Sequence, residues 1–436
     1  MVKKKTSKIF FCILVVLLLP SFLICPNTVS AQDNETENEA AQLNQLGINA
    51  IVKNDYRQAI DYFERALSML PGQKTIKNNL AVAYNNYGIA LSNEKRYEDA
   101  KENLYRAIEL DSGNNSYKEN LTNIISTMAS NYYMNGSYEV AQMELKQSLS
   151  LSPKHVPSLV LLGQTYYQTQ DLEKAQEIWT KALSLDPGNK ELQSLLSKVK
   201  KENLIETPLK QLDSSYFDIR FDKKAIESDI YDVRMYLQDA YRDVGRDLNY
   251  YPDYKIPVII YTQEDFRSLR QTPQWVAGLY DGKIRLPLKN GGIPEQEFKC
   301  LLWHEYTHAV IFSLSNGNCP IWFNEGIAKF EEAKVAPPDL SLFINAVKNK
   351  SLLPFSQLSS YFSMNAKPEQ VALAYLEAYI FVEFVMDRWN YRVIRDVLEY
   401  IKHGKSFDDA FYEITNRTPE KLHDEWIEYI KRKYCA

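Results

Sequence analysis

The chain has 436 residues, which is long for one ordinary domain and enough for two or three. Hydrophobic residues at 45% and charged residues at 25% describe a packed globular protein, not a disordered one, and 15 glycines against 30 tyrosines fit long helices with aromatic packing and exclude a collagen-like chain. The formal charge of −5 offers no basic face, so no nucleic-acid partner is expected.

The first elements belong to targeting. Lys3, Lys4, Lys5 and Lys8 form a positive start, Ile9 to Cys25 is almost continuously apolar, and Val29-Ser30-Ala31 supplies small residues for a peptidase. Residues 1–31 therefore read as a secretory signal. Its four lysines and absent acids take the mature charge from −5 to −9. The expected location is exported: periplasmic, cell-envelope or extracellular. A membrane enters only if the segment stays uncut as an anchor, or if Cys25 is lipidated, against which stands the bulky Ile24. Cys300, Cys319 and Cys435 remain, an odd number without a disulfide framework. They read as packing thiols, with a Cys300–Cys319 bridge as the alternative.

The next stretch repeats itself. Leu162-Gly163, Tyr166, Ala175, Trp179, Ala182 and Pro187 recur in offset as Leu46-Gly47, Ala59, Phe63, Ala66 and Pro71. They recur again as Tyr87-Gly88, Ala100, Leu104 and Ala107, and as Met128-Ala129, Tyr132, Ala141, Leu145 and Pro153. Small residues let paired antiparallel helices approach, large ones fill the space between pairs, and no repeat buries its face alone. The pattern resembles the tetratricopeptide repeat over about 40–73, 81–114, 122–155 and 156–189. Seven additional residues precede the second and third copies; seven is nearly two helical turns, so 74–80 and 115–121 are expected to lengthen a helix. Leu192, Leu195, Leu196 and Val199 share a face of a capping helix that closes the solenoid at 203. The array is either a concave surface for a protein partner or an intramolecular brace.

Pro208 and the loss of periodicity place a linker at 204–213. Beyond it, 216–221 alternates like a half-buried strand. Ile226, Ile230, Val233, Leu237, Ala240 and Val244 are spaced for a helix. Residues 255–261 read as a strand, and Gly278 to Gly282 turns into another at 283–288. From about 295 to 433 the pattern is helical. Strands followed by helices argue an α+β domain at 214–433.

The chemistry concentrates in Trp303-His304-Glu305-Tyr306-Thr307-His308. Two histidines four apart share a helix face and can donate to one metal, with Glu305 beside that face in reach of a water. His155, His403 and His423, the other histidines, have no ligand-spaced partner. Unpaired histidines and a glutamate are costly to bury in an apolar helix. Glu325, in Trp322-Phe323-Asn324-Glu325-Gly326, follows a turn at 315–320 that would bring a second helix back past the first. Two histidines and a glutamate with one open position is a catalytic zinc arrangement. Glu331 and Glu332, two turns further on, read as solvated or as neighbours of the ligands.

HEYTH followed by WFNEGIAKF resembles the gluzincin metallopeptidases, most closely the bacterial peptidase MA-like group, with the likeness running over roughly 214–433. It implies His304, His308 and Glu325 as Zn2+ ligands and Glu305 as the general base. It also implies an oxyanion donor from a later helix, for which Tyr375 is the candidate and Tyr379 its neighbour one turn on. Sixteen residues between His308 and Glu325 are a little fewer than in thermolysin-type relatives, which a shorter turn accommodates. The amine-anchoring G-x-M-E-N stretch of aminopeptidases is missing, which favours an endopeptidase. The 284–288 strand is expected beside the cleft, pairing with an extended substrate.

The expected architecture is multidomain: an all-α tetratricopeptide-repeat solenoid at 40–203, then an α+β zincin-like metallopeptidase domain. The expected activity is zinc-dependent hydrolysis of a protein or peptide substrate, with the repeats recruiting that substrate or a protein partner. The alternative is a catalytically inactive scaffold built on the repeats.

Overall fold

The computed structural model describes residues 31–225, 227–269, 279–288, 294–362 and 366–434. The signal segment before Ala31, Ile226, Gly278 and Cys435 lie outside the described residues. Among the described residues no helix is long and apolar enough to cross a membrane. The chain divides into two compact units, one comprising residues up to 87 with 106–112, the other 88–105 with 113 onward.

The first unit is built on α1 (Ala31–Val52) and α2 (Tyr56–Met69). Asp55 caps α2, accepting from the Gln58 N–H at 3.2 Å. Phe63 lies flat on Gly47, where a Cβ would meet its ring at 2.6 Å, and Ala50, Ala59 and Ala83 complete the packing. The helix α3 (Lys74–Asn93) begins at the first of the seven additional residues and runs for 20. It is followed by α4 (Tyr97–Leu110).

The second unit continues with α5 (Asn115–Met134), again 20 residues long from the start of its insertion, and α6 (Tyr138–Leu151). The pair α7 (Val156–Gln168) and α8 (Leu172–Leu185) closes around Trp179, whose Nε1–H donates to the Val160 carbonyl at 3.0 Å. A Cβ on Gly163 would lie 2.3 Å from that indole. Next comes α9 (Lys190–Glu206), capped by Asn189. It does not stop at 203, and 204–213 is not a free linker. Its last residues complete the helix, and Lys210–Asp213 form strand β1. The physical reason is that Glu202 and Glu206, one turn apart, are both buried while Leu204 between them is 82% exposed: the helix continues because its acidic face is covered.

Five strands form one mixed sheet: β1, β2 (Phe217–Phe221), β3 (Ile256–Tyr261), β4 (Leu279–Tyr280) and β5 (Ile284–Pro287), in the order β1-β2-β3-β5-β4. The inner pairs are parallel, with Ile219 opposite Val258 and Val258 opposite Ile284, and the two edge pairs are antiparallel. The helix α10 (Glu227–Leu248) crosses from β2 to β3, and α11 (Gln263–Leu269) follows β3. One sheet face, with Phe217, Val258, Ile260 and Leu286, packs on Val233, Leu237 and Val244 of α10. The opposite face, with Ile259 and Tyr261, packs on Phe266 and on Ile205 and Leu209 at the end of the repeat region. Every residue of β3 is buried as a result. The 284–288 segment, expected beside the cleft and open to a substrate strand, pairs with β3 along one side, and on the other Gly282, at φ +98, folds β4 back onto Ile284 and Arg285 alone.

The remainder is helical: α12 (Glu295–Ser315), α13 (Ile321–Glu332), α14 (Ser341–Lys348), a 3-10 helix (Phe355–Phe362), α15 (Pro368–Arg388), α16 (Tyr391–Lys402), α17 (Phe407–Thr415) and α18 (Pro419–Tyr434). Phe381 on α15 is their hub, with Trp322 and Phe355 at 5.1 Å and Trp426 at 6.1 Å between ring centroids. Cys300 and Cys319 are both free thiols.

Replacing Gly163 by valine should drive a side chain into Trp179 and lower stability by roughly 1–3 kcal/mol, read from the urea midpoint. A second test concerns Glu377 of α15, which is fully buried and accepts the Leu353 N–H at 2.8 Å. Burial pushes its pKa up to about 8 from the ordinary 4.5. Between those values the folded chain holds a proton that the unfolded chain has released, so stability should fall as pH rises through the window, by on the order of 1 kcal/mol per pH unit. Glu377→Gln should flatten that slope in melting curves and melt higher than wild type above the window.

Candidate metal centre

Helix α12 is buried almost all round, which suits a helix threaded through the centre of a domain. Asn316 and Gly317 end it in left-handed conformations, at φ 51 and φ 69. Pro320 then starts α13, which runs back along α12. Where α13 meets α15, Gly326 presses on the backbone: a Cβ there would lie 2.6 Å from the Ala378 carbonyl oxygen. The absence of a side chain at 326 brings its neighbour Glu325 down onto the histidine face of α12.

His304 Nε2 lies 3.3 Å and His308 Nε2 3.5 Å from Glu325 Oε2. These three atoms lie within 4.8 Å of one another, making a possible metal site from two histidines and a glutamate. The far side of each ring is held. His304 Nδ1 lies 3.1 Å from Glu332 Oε2, and His308 Nδ1 lies 2.9 Å from Asn324 Oδ1. An Nδ1–H donated outward to each acceptor leaves both Nε2 lone pairs facing Glu325. Lys329 Nζ, 2.6 Å from Glu332 Oε1, steadies that carboxylate.

Sequence reasoning left Glu332 open between a solvated charge and a neighbour of the ligands, and did not name Asn324 or Lys329 as outer partners. Glu332 stands seven residues after Glu325, two turns on along the same helix face, and that spacing was the signal available for it. Glu331, its neighbour, is fully buried, 2.6 Å from Lys334 Nζ and accepting from Tyr391.

The residues fit a cation. Glu325 Oε2 is buried without a hydrogen-bond partner of ordinary geometry among the described residues, as is Glu305 Oε2. A tetrahedral ion with bonds of about 2.0–2.1 Å sets its ligand atoms roughly 3.3 Å apart, the spacing found here between imidazole and carboxylate. The electrostatics agree. Burial alone would strip His304 of its proton, but hydrogen bonds to Glu325 and Glu332 outweigh it and hold its pKa up at about 10. Burial opposes charge on Glu325 too, yet the two imidazoles hold its carboxyl well below the usual range. The pocket demands positive charge.

Glu305 stands beside this group, 4% exposed, with its pKa raised by burial against the pull of His308 and His304. Tyr375 of α15 has its ring 6.5 Å from that of His304, packs edge-on against Phe362 at 5.0 Å, and hydrogen-bonds Glu325. Tyr379, one turn on, packs on Phe330 at 6.1 Å and hydrogen-bonds Glu383. The structure thus groups His304, His308, Glu325, Glu305 and Tyr375.

Comparison with known families assigns the two regions. Residues 298–432 match the Peptidase MA superfamily, and residues 81–114 and 132–199 match the tetratricopeptide repeat. Tetratricopeptide repeats are followed here by a Peptidase MA superfamily domain. Among solved structures, a TPR repeats protein from Bacteroides fragilis is 16% identical, covering 37% of this chain and 97% of that one, with a TM-score of 0.28. The second TPR domain of human RPAP3, in complex with an HSP70 peptide, is 24% identical over 29% of this chain and 98% of its own, with a TM-score of 0.22. MamA from Desulfovibrio magneticus is 17% identical over 38% and 85%, with a TM-score of 0.24. No curated protein matches the chain. The candidate metal centre lies inside the Peptidase MA region.

Gly326→Ala should force α13 off α15. The expected loss is about 1–3 kcal/mol, measured by chemical denaturation.

Proposed function

We propose that the C-terminal domain is a zinc-dependent endopeptidase of the gluzincin type, with an α+β zincin-like fold over 214–433, and that the repeats over 40–203 recruit a protein substrate or partner. The observation that carries the reading is the convergence of His304, His308 and Glu325 around one point, with Glu305 buried and unpartnered beside it. The Peptidase MA match over the same residues supports it. The tetratricopeptide-repeat matches support the recruiting role. The chain is taken to be exported after removal of residues 1–31.

In this reading His304, His308 and Glu325 hold the ion. An ion held there would supply acidification of a water and polarisation of the scissile carbonyl. Glu305 takes the proton of the attacking water on its free Oε2 and passes it to the departing amine. Its burial helps, because a carboxylate with a raised pKa is a better proton acceptor than a solvated one. Tyr375 supplies a neutral hydroxyl to the oxyanion, since burial and the carboxylates of Glu325 and Glu305 keep its proton on well beyond neutrality. Asn324 and Glu332 hold the two rings in the tautomer that presents Nε2.

The purified mature chain should carry about one zinc per molecule, and His304→Ala/His308→Ala should lose it, by metal analysis. Glu305→Gln should keep the metal and lower peptide hydrolysis by about 100- to 10,000-fold. A wild-type chain that takes up no zinc when supplied with it would overturn the reading and leave a binding scaffold. Undiminished turnover in Glu305→Gln would overturn the mechanism alone.

A further inference from the structure

Four buried charges of the second unit that the proposed chemistry does not use are gathered in one place. Lys283 is fully buried in the turn between β4 and β5, and Arg285 on β5 is 4% exposed. Both face α9, whose Glu202 and Glu206 are 2% and 1% exposed. Arg285 Nη2 donates to Glu202 Oε1 and Nη1 to Glu206 Oε1, each at 2.9 Å. Lys283 Nζ stands 3.4 Å from Glu202 Oε2 and 3.5 Å from Glu206 Oε2. The two carboxylates are therefore spent, oxygen by oxygen, on the two cations.

The surroundings close the cluster. Tyr261 on β3 donates to Glu206 Oε1 at 2.5 Å, and Tyr167 on α7 donates to Glu202 Oε1 at 2.9 Å with its ring 3.8 Å from Lys283 Nζ. Asp281 accepts from Arg285 Nε at 3.0 Å and from Lys198 Nζ of α9 at 2.6 Å. A Cβ on Gly282 would strike the Gln168 amide of α7 at 2.3 Å, so the turn itself is seated against the repeat. A second seat lies at the α5–α6 turn. There Gly136 faces Tyr254, which would meet a Cβ at 2.1 Å, and the Tyr254 hydroxyl lies 2.7 Å from Ser313 Oγ on α12.

The two cations need α9 in place, because the remaining acid beside them, Asp281 in their own turn, pairs with Arg285 alone of the two and leaves Lys283 to Glu202 and Glu206. Removing one member of such a buried group leaves an uncompensated charge, which is far more damaging than replacing the whole group by apolar side chains. The hairpin that carries the cations is the last part of the sheet before α12 in the chain, and the Tyr254 seat touches α12 itself.

We propose that the last two repeats are a fixed wall of the C-terminal domain, locked by a buried latch of Glu202 and Glu206 with Lys283 and Arg285, so that α9 and the β4–β5 hairpin open only together. A molecule that strains α9 then acts on the hairpin directly, and these last two repeats do not swing as a separate arm. This rests on the buried contacts and not on the metal reading, so it stands or falls without reference to zinc.

Hydrogen exchange on the full mature chain tests it by mass spectrometry. In the wild type, peptides from 190–206 and from 279–288 should show one shared opening across a denaturant series. In Glu202→Gln/Glu206→Gln, both segments should exchange at least about tenfold faster while 407–434 is unchanged. Adding Lys283→Met to Glu206→Gln should recover protection in both segments relative to Glu206→Gln alone. The latch is overturned if α9 loosens and the hairpin keeps its protection, or if Lys283→Met and Glu206→Gln simply add. Should the double glutamine variant fail to fold, the wild-type series still decides, since two separate openings for 190–206 and 279–288 exclude the latch.

Discussion

At Gly326 the backbone of α13 rests on that of α15 with no side chain between them, and the grouping of the candidate site's side chains depends on this contact. It lowers Glu325 onto α12 and brings α15, with Tyr375, to the same side. The imidazoles then need only be turned correctly, which Asn324 and Glu332 do from α13 itself. One helix thus supplies the carboxylate and both of the groups that orient the rings. An error in its placement would disturb all three at once.

The parts of this arrangement that were legible in the sequence are those set by local spacing. Two histidines four apart on an apolar stretch declare a shared helix face, and Glu325 follows at a distance that a single short turn can span. The small-residue and aromatic offsets of the repeats are equally local, because Gly47 with Phe63 and Gly163 with Trp179 pack within a single helical pair. The seven-residue insertions could be assigned to α3 and α5 because two added turns keep a helix in phase.

What escaped was decided by partners far away in the chain. Glu202, in the expected capping helix, and Glu206, in the expected linker, carry no mark of burial in the sequence, since Lys283 and Arg285 stand opposite them only in the fold and no periodicity announces that pairing. The same pairing carries α9 past 203 and turns an expected linker into the cover of a sheet face. The position of β5 inside the sheet was hidden for a related reason. It depends on a two-residue strand that Gly282 folds back, and β4 is too short to leave a pattern of its own.

The latch also bears on the order in which the chain can fold. The repeats close through near neighbours, but Arg285 and Glu206 are 79 positions apart, and Lys283 and Glu202 are 81. Contacts of that separation come late, after the entropy of a long loop has been lost. A chain emerging from its N-terminus therefore completes α7 and α8 early and then waits, with Ile205, Leu209 and two carboxylates of α9 still bare. During that interval the end of the solenoid is an adhesive surface, and the sheet strands are what retire it.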